Sequence, residues 1–113
     1  MENCIFCKII KGEIPASKVY EDGDMLIFKD IEPKCDNHFL CIPKLHFAAL
    51  ENMTQSQSAQ LQKCFEKIPQ LKDELSLQNG YRLVINQGAD AGQTVFHLHI
   101  HVLSGRKMGW NPA

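Results

Sequence analysis

The chain is 113 residues long and 44% hydrophobic, which suits one compact domain, residues 1–113, and is too little for two. Twelve basic side chains against thirteen acidic ones give a formal charge of -1, and with no Lys/Arg cluster to track phosphates, nucleic acid is not an expected partner. No apolar run reaches the length of a membrane span and no basic-then-apolar leader is present, so the expected setting is cytoplasmic, with no membrane contact.

In chain order, "CIFCKIIKGEIP" predicts a short helix from Ile5 to Lys11, closed by Gly12 with Pro15 beyond it. "SKVYEDGDMLIFKDI" predicts two strands meeting at Asp22-Gly23, a dipeptide suited to the positive φ angles of a tight hairpin. "HFLCIP" is a third strand, ended by Pro43. Thr54 is a good N-cap for a long helix in which Leu61, Phe65, Ile68, Leu71 and Leu75 share one face. Pro69 removes one backbone hydrogen bond from that helix and predicts a kink or a restart. "YRLVIN" is a fourth strand and "QGADAGQT" a glycine-bearing loop. Five cysteines cannot all pair within one chain, and Cys35, Cys41 and Cys64 are expected to be small core hydrophobes.

The fifth strand is "FHLHIHVL", Phe96 to Leu103. Its period of two puts His97, His99 and His101 on one face and Phe96, Leu98, Ile100 and Val102 on the other. Adjacent imidazoles are then about 7 Å apart at their Cα atoms, so one metal ion could take a neighbouring pair but not all three. The whole is an α+β domain: an antiparallel five-stranded sheet with one long helix and a short N-terminal helix. Residues 104–113 form a C-terminal tail.

Gly88 and Gly92 bracket the loop that leads into the imidazole face, and backbone N–H groups in such a loop can cradle an anion. Taken alone the loop is an ordinary hairpin connection. Beside three same-face histidines it predicts a phosphate site, with Asn86, Gln93 and Thr94 as neutral partners at its rim.

"NGYRLVINQGADAGQTVFHLHIHVLSGRKMGW" resembles the signature region of the histidine triad (HIT) superfamily, and most closely its Hint branch of nucleoside phosphoramidases. "CIFCKIIKGEIPASKVYED", "FKDI" and "NHFLCIPKLHF" resemble the N-terminal half of the same family. The resemblance implies a HIT-like fold. It further implies a hydrolase for purine nucleoside 5'-phosphoramidates such as adenosine phosphoramidate or AMP-lysine, releasing a purine nucleotide such as AMP or GMP. By position, His99 is then the nucleophile on the α-phosphorus. His101, Asn86, Thr94, Gln93 and a backbone N–H near Gly92 contact phosphate, and His38 is a fourth active-site histidine. Asp30 accepts from the ribose hydroxyls, and Phe6, Ile9, Ile14, Phe28 and Ile31 surround the base. Without the resemblance these apolar positions read as ordinary core. The family also implies a homodimer whose tail, through Trp110, reaches the partner's site. Here Trp110-Asn111-Pro112 replaces the family's Trp-Pro-Pro, and Thr94 stands where Ser is usual.

"CIFC" is half of a zinc site or the frame of a redox dithiol. The resemblance implies structural zinc held by Cys4, Cys7, His46 and His97, and no catalytic metal. Other readings stay open: a metal-dependent enzyme with a histidine pair at an open site, a nucleotide-binding interaction module, a dinucleoside polyphosphate hydrolase, or a DNA deadenylase. The tail "SGRKMGW" favours Hint, and the missing basic patch speaks against the deadenylase.

Overall fold

Why the chain turns where it does is plainest at its first helix. The computed structural model describes residues 3–110, beginning with α1, Ile5–Ile10. Cys4 is its N-cap, its sulfur accepting from the Cys7 N–H at 3.4 Å. Gly12, at φ 81°, ends the helix. Its N–H donates to the Ile9 carbonyl and the Glu13 N–H to that of Lys8, so carbonyls of the last turn are satisfied.

β1 (Lys18–Glu21) and β2 (Met25–Lys29) form the first hairpin. Its turn differs from expectation, because Gly23 has no positive φ. Instead the Asp22 carboxylate accepts from the N–H groups of Asp24 and Met25, at 2.8 and 3.1 Å, and organises a three-residue loop. β3 is Asn37–Pro43. The long helix α2, Gln55–Gln70, starts with a reciprocal cap between Thr54 and Gln57. Pro69 lies in its last turn, so the helix stops there rather than kinking or restarting. Leu61, Cys64 and Ile68 form its buried face, while Phe65 is 42% exposed, one position off the stripe that the spacing suggested.

β4 is Arg82–Val84 and β5 is Ile100–Ser104. All pairings are antiparallel, in the order β1-β2-β3-β5-β4. β5 is shorter than predicted, since residues 96–99 stand outside the ladder and Phe96 is 57% exposed instead of facing the core. Alternation nevertheless holds from His97 onward: Leu98, Ile100 and Val102 are buried with α2. Gly105, at φ 105°, lets the chain leave the sheet, for a Cβ there would meet the Asp36 Cβ at 2.7 Å.

The two faces of the sheet differ. Met25, Ile27, Phe39, Cys41, Ile100 and Val102 meet α2 in a sealed core. Leu26, Phe28, Leu40 and Ile42 face the other way, where α1 contributes Phe6 and Ile9 as buried residues and Ile10 partly buried. One short helix cannot cover that face, and the remainder is a cavity. No helix among the described residues is long and apolar enough to cross a membrane.

Candidate active site

The register builds the cavity floor. Phe28 pairs with Leu40, Leu40 with His101, and His101 with Val84, so these side chains form one row across the exposed face. Above it lies a cavity of about 720 Å³. Phe6, Ile9, Ile14, Phe28, Asp30, Ile31, His38, Asn86, Gly92, Thr94, His99 and His101 all line it. Of the positions expected to touch nucleotide, Gln93 alone does not. Its Oε1 accepts from the Gly88 N–H at 2.8 Å, and its Nε2 donates to the carbonyls of Ala48 and Val95. That side chain holds the loop in shape. The loop also uses the N–H groups of Ala91, Gly92 and Gln93 internally, which removes them as anion donors. Leu40, Val84, Arg82, Leu103 and Lys34 also line the cavity, though none stood out in the sequence. Most of these lie on strands, where a cavity wall and a core read alike.

Proton positions around the imidazoles follow from their fixed partners. His99 Nδ1–H donates to the His97 carbonyl at 2.8 Å, which leaves Nε2 with its lone pair. Nε2 has no hydrogen-bond partner among the described residues, and no unpaired polar side-chain atom is sealed from solvent, so this lone pair is open. Phe6 packs edge-on against the same ring at 5.1 Å. His38 Nδ1 accepts from the Lys34 N–H at 3.0 Å, so its proton sits on Nε2. That N–H is shared between His101 Nδ1 at 2.9 Å and the Asp30 carboxylate at 3.3 Å. His101 must then carry its proton on Nε2, which faces the Asn86 amide nitrogen at 3.5 Å. Both are donors, and neither satisfies the other. An acceptor such as a phosphate oxygen completes them.

Burial favours the neutral form of His101 and of His38. It is the main cause that lowers His101 to about 4, helped by the neighbouring His99 and His38. His38 is lowered too, by burial, against the opposing pull of Asp30.

Beside the cavity, Cys4, Cys7, His46 and His97 bring their donor atoms within 4.8 Å of one another, a set that could hold a metal ion. His97 Nε2–H donates to the Pro43 carbonyl at 2.7 Å, turning a bare Nδ1 to the sulfurs of Cys4 and Cys7 at 3.5 and 3.6 Å. His46 Nδ1 is 3.3 Å from the Cys7 sulfur. Burial and Cys4 raise the Cys7 thiol above its ordinary value, and burial lowers His97 to about 4.

Fold and site together define an α+β protein that can hold an anion beside an open imidazole lone pair. The family model for the HIT domain matches residues 11–108. The chain is 48% identical over 103 residues to Protein HitA of Neisseria gonorrhoeae, covering 91% of this chain and 96% of that one. It resembles the crystal structure of a HIT family hydrolase from Legionella pneumophila with a TM-score of 0.91 and 43% identity, covering 98% of this chain and 100% of that one. A histidine triad nucleotide-binding protein from Candida albicans gives a TM-score of 0.81 at 35% identity, covering 98% and 85%. The chain belongs to the histidine triad family.

Proposed function

We propose that this protein hydrolyses purine nucleoside 5'-phosphoramidates to the nucleoside monophosphate and an amine, through a covalent nucleotidyl-histidine. The observation that carries the reading is the His99 ring, whose proton is tied to the His97 carbonyl while its Nε2 lone pair is open to the cavity. Neutral imidazole is a competent nucleophile near pH 7. Family membership alongside a hydrolase and a nucleotide-binding protein supports the same reading.

His99 Nε2 attacks the α-phosphorus; an Nε2–P bond forms as the P–N bond breaks. The leaving nitrogen takes a proton from solvent, relayed by the exposed Thr94 hydroxyl at the cavity mouth, and departs as an amine. His101 Nε2–H and the Asn86 amide stabilise the phosphoryl oxygens as charge builds. Water then cleaves the Nε2–P bond, releasing the monophosphate and restoring the imidazole. Asp30 spends one oxygen on the Glu32 N–H and one on His38, and both retain lone pairs for ribose hydroxyls. Ile31, 93% exposed, and the apolar wall of Phe6, Ile9, Ile14 and Phe28 take the purine ring.

Zinc is the metal we assign to Cys4, Cys7, His46 and His97. Contacts of 3.3 to 3.6 Å among these donors match the edges of a tetrahedron, about 3.3–3.8 Å, generated by Zn–N of about 2.0 Å and Zn–S of about 2.3 Å. When bound, it supplies a closed structural fastening with no open position for substrate. The protein acts as a cytoplasmic homodimer in this reading, with the tail reaching the partner's cavity. Trp110, 89% exposed on its own chain, supports that role; Asn111 and Pro112 lie outside the described residues. The test is a screen of purified protein against adenosine phosphoramidate, AMP-lysine and dinucleoside polyphosphates. Preference for the phosphoramidates is expected, and preference for a dinucleotide overturns the proposal.

A further inference from the structure

We infer that the Cys4, Cys7, His46 and His97 cluster positions the nucleophile as well as fastening α1, acting through one peptide unit, His97–Leu98. This rests on the reading of His99 as nucleophile. His99 stands one residue before β5, whose pairing with β3 begins at Ile100, so the ladder fixes neither its ring nor the peptide before it. Two other hydrogen bonds fix that peptide. At one end the Leu98 N–H donates to the Phe47 carbonyl at 2.7 Å. At the other the His97 carbonyl accepts from His99 Nδ1–H at 2.8 Å.

Each end adjoins a member of the cluster. His97 carries the carbonyl that holds His99, and His46 directly precedes Phe47. The sulfur contacts of 3.3 to 3.6 Å therefore hold both sides of the peptide plane against the start of α1. Loosening the cluster frees the plane to tilt. His99 Nδ1 then loses the acceptor that retains its proton, and the tautomer with the proton on Nε2 becomes populated. That tautomer has no lone pair to attack phosphorus. The consequence for the fraction of competent nucleophile is distinct from any loss of purine contact at Phe6 and Ile9, which α1 carries, while Asp30, Asn86 and Thr94 lie outside this chain of contacts. Cys4, Cys7 and His46 are positioning residues in this account. A cluster that only fastens α1 would affect stability alone.

The experiment uses full-length protein with 15N-labelled histidine in four states: zinc-loaded, chelated, Cys4→Ser and Cys7→Ser, each held well below its unfolding temperature. Long-range ring 1H–15N spectra report which His99 nitrogen carries the proton, with no substrate present. The zinc-loaded protein should show only Nδ1–H, and the other three a mixture. Their kcat should fall severalfold, in proportion to the Nδ1–H fraction lost, whereas a change in KM reports the α1 contacts of Phe6 and Ile9. Folded samples that lack the cluster yet keep pure Nδ1–H and full kcat would overturn the inference. If both cysteine variants fail to fold, chelated wild type decides. A tautomer shift without phosphoramidase activity would retire the proposed reaction and leave this inference standing.

Discussion

Two clusters of histidines lie side by side on one face of the sheet and keep their protons in different places. In the first, His97 gives its Nε2–H to the Pro43 carbonyl and its bare Nδ1 faces two sulfurs, so lone pairs converge on one point. In the second, the Lys34 N–H occupies His38 Nδ1, and a proton already fills the gap between His38 and both His101 and Asp30. Asp30, His38 and His101 also bring their donor atoms within 4.8 Å of one another. A metal there would have to strip the His38 Nε2 proton or displace the Lys34 amide. The same residue types thus suit a cation in one place and an anion in the other, and the tautomers decide which.

The sharpest break between the clusters comes from His99→Ala. Turnover should fall by at least about 10⁴-fold, the scale seen when a nucleophile is removed, while AMP affinity by calorimetry and metal content stay near wild type. Near-normal turnover in this variant would remove the distinction between the clusters. His101→Ala should slow turnover by about 10²- to 10³-fold, as for loss of one oxyanion donor, with the covalent adduct still detectable by mass spectrometry.

Chelation tests the first cluster. A metal present at about 100 times its dissociation constant adds about 2.7 kcal/mol, and its removal should lower Tm by roughly 10 °C for a chain of this size. No shift in a calorimetric scan would mean that the four donors hold no metal in solution. Asp30→Asn should weaken nucleotide binding by about tenfold through loss of a charged acceptor, and leave metal content untouched. Metal lost with Asp30 would place a cation in the second cluster.

The least direct effect is a pH dependence. Burial holds His101 at about 4 in the folded protein, whereas an unfolded histidine titrates near about 6.5. Between those values only the unfolded state gains the proton, so stability is full above about pH 6.5, declines as pH falls and levels off below about pH 4. Loaded protein should lose more, because acid also releases the metal. Urea unfolding across this range is the check, and a flat profile from pH 7 to about 4.5 would contradict the burial of a neutral His101.

What could be read in advance followed the physics of short range. The Thr54 cap, the Gly12 stop and the shared face of His97, His99 and His101 depend on neighbours in sequence, and the structure has all three. Phe96 broke the pattern at the far end of the segment, where it lies four residues before the ladder begins at Ile100 and is 57% exposed. The role of Gln93 was hidden for another reason: a loop amide facing a phosphate and one facing its own backbone have the same sequence. Cys4 and His97 are 93 residues apart, and nothing in their spacing brings them together. Only the family resemblance did.

If His99 is the nucleophile, it carries the nucleotidyl group between the two steps. Intact mass after rapid acid-free quenching of an adenosine phosphoramidate reaction, followed by peptide mapping, tests it most directly. One adenylyl group per chain is expected, on His99 and absent from His99→Ala. An adenylyl group on His97 or His101, or turnover by His99→Ala at near wild-type rate, would contradict it.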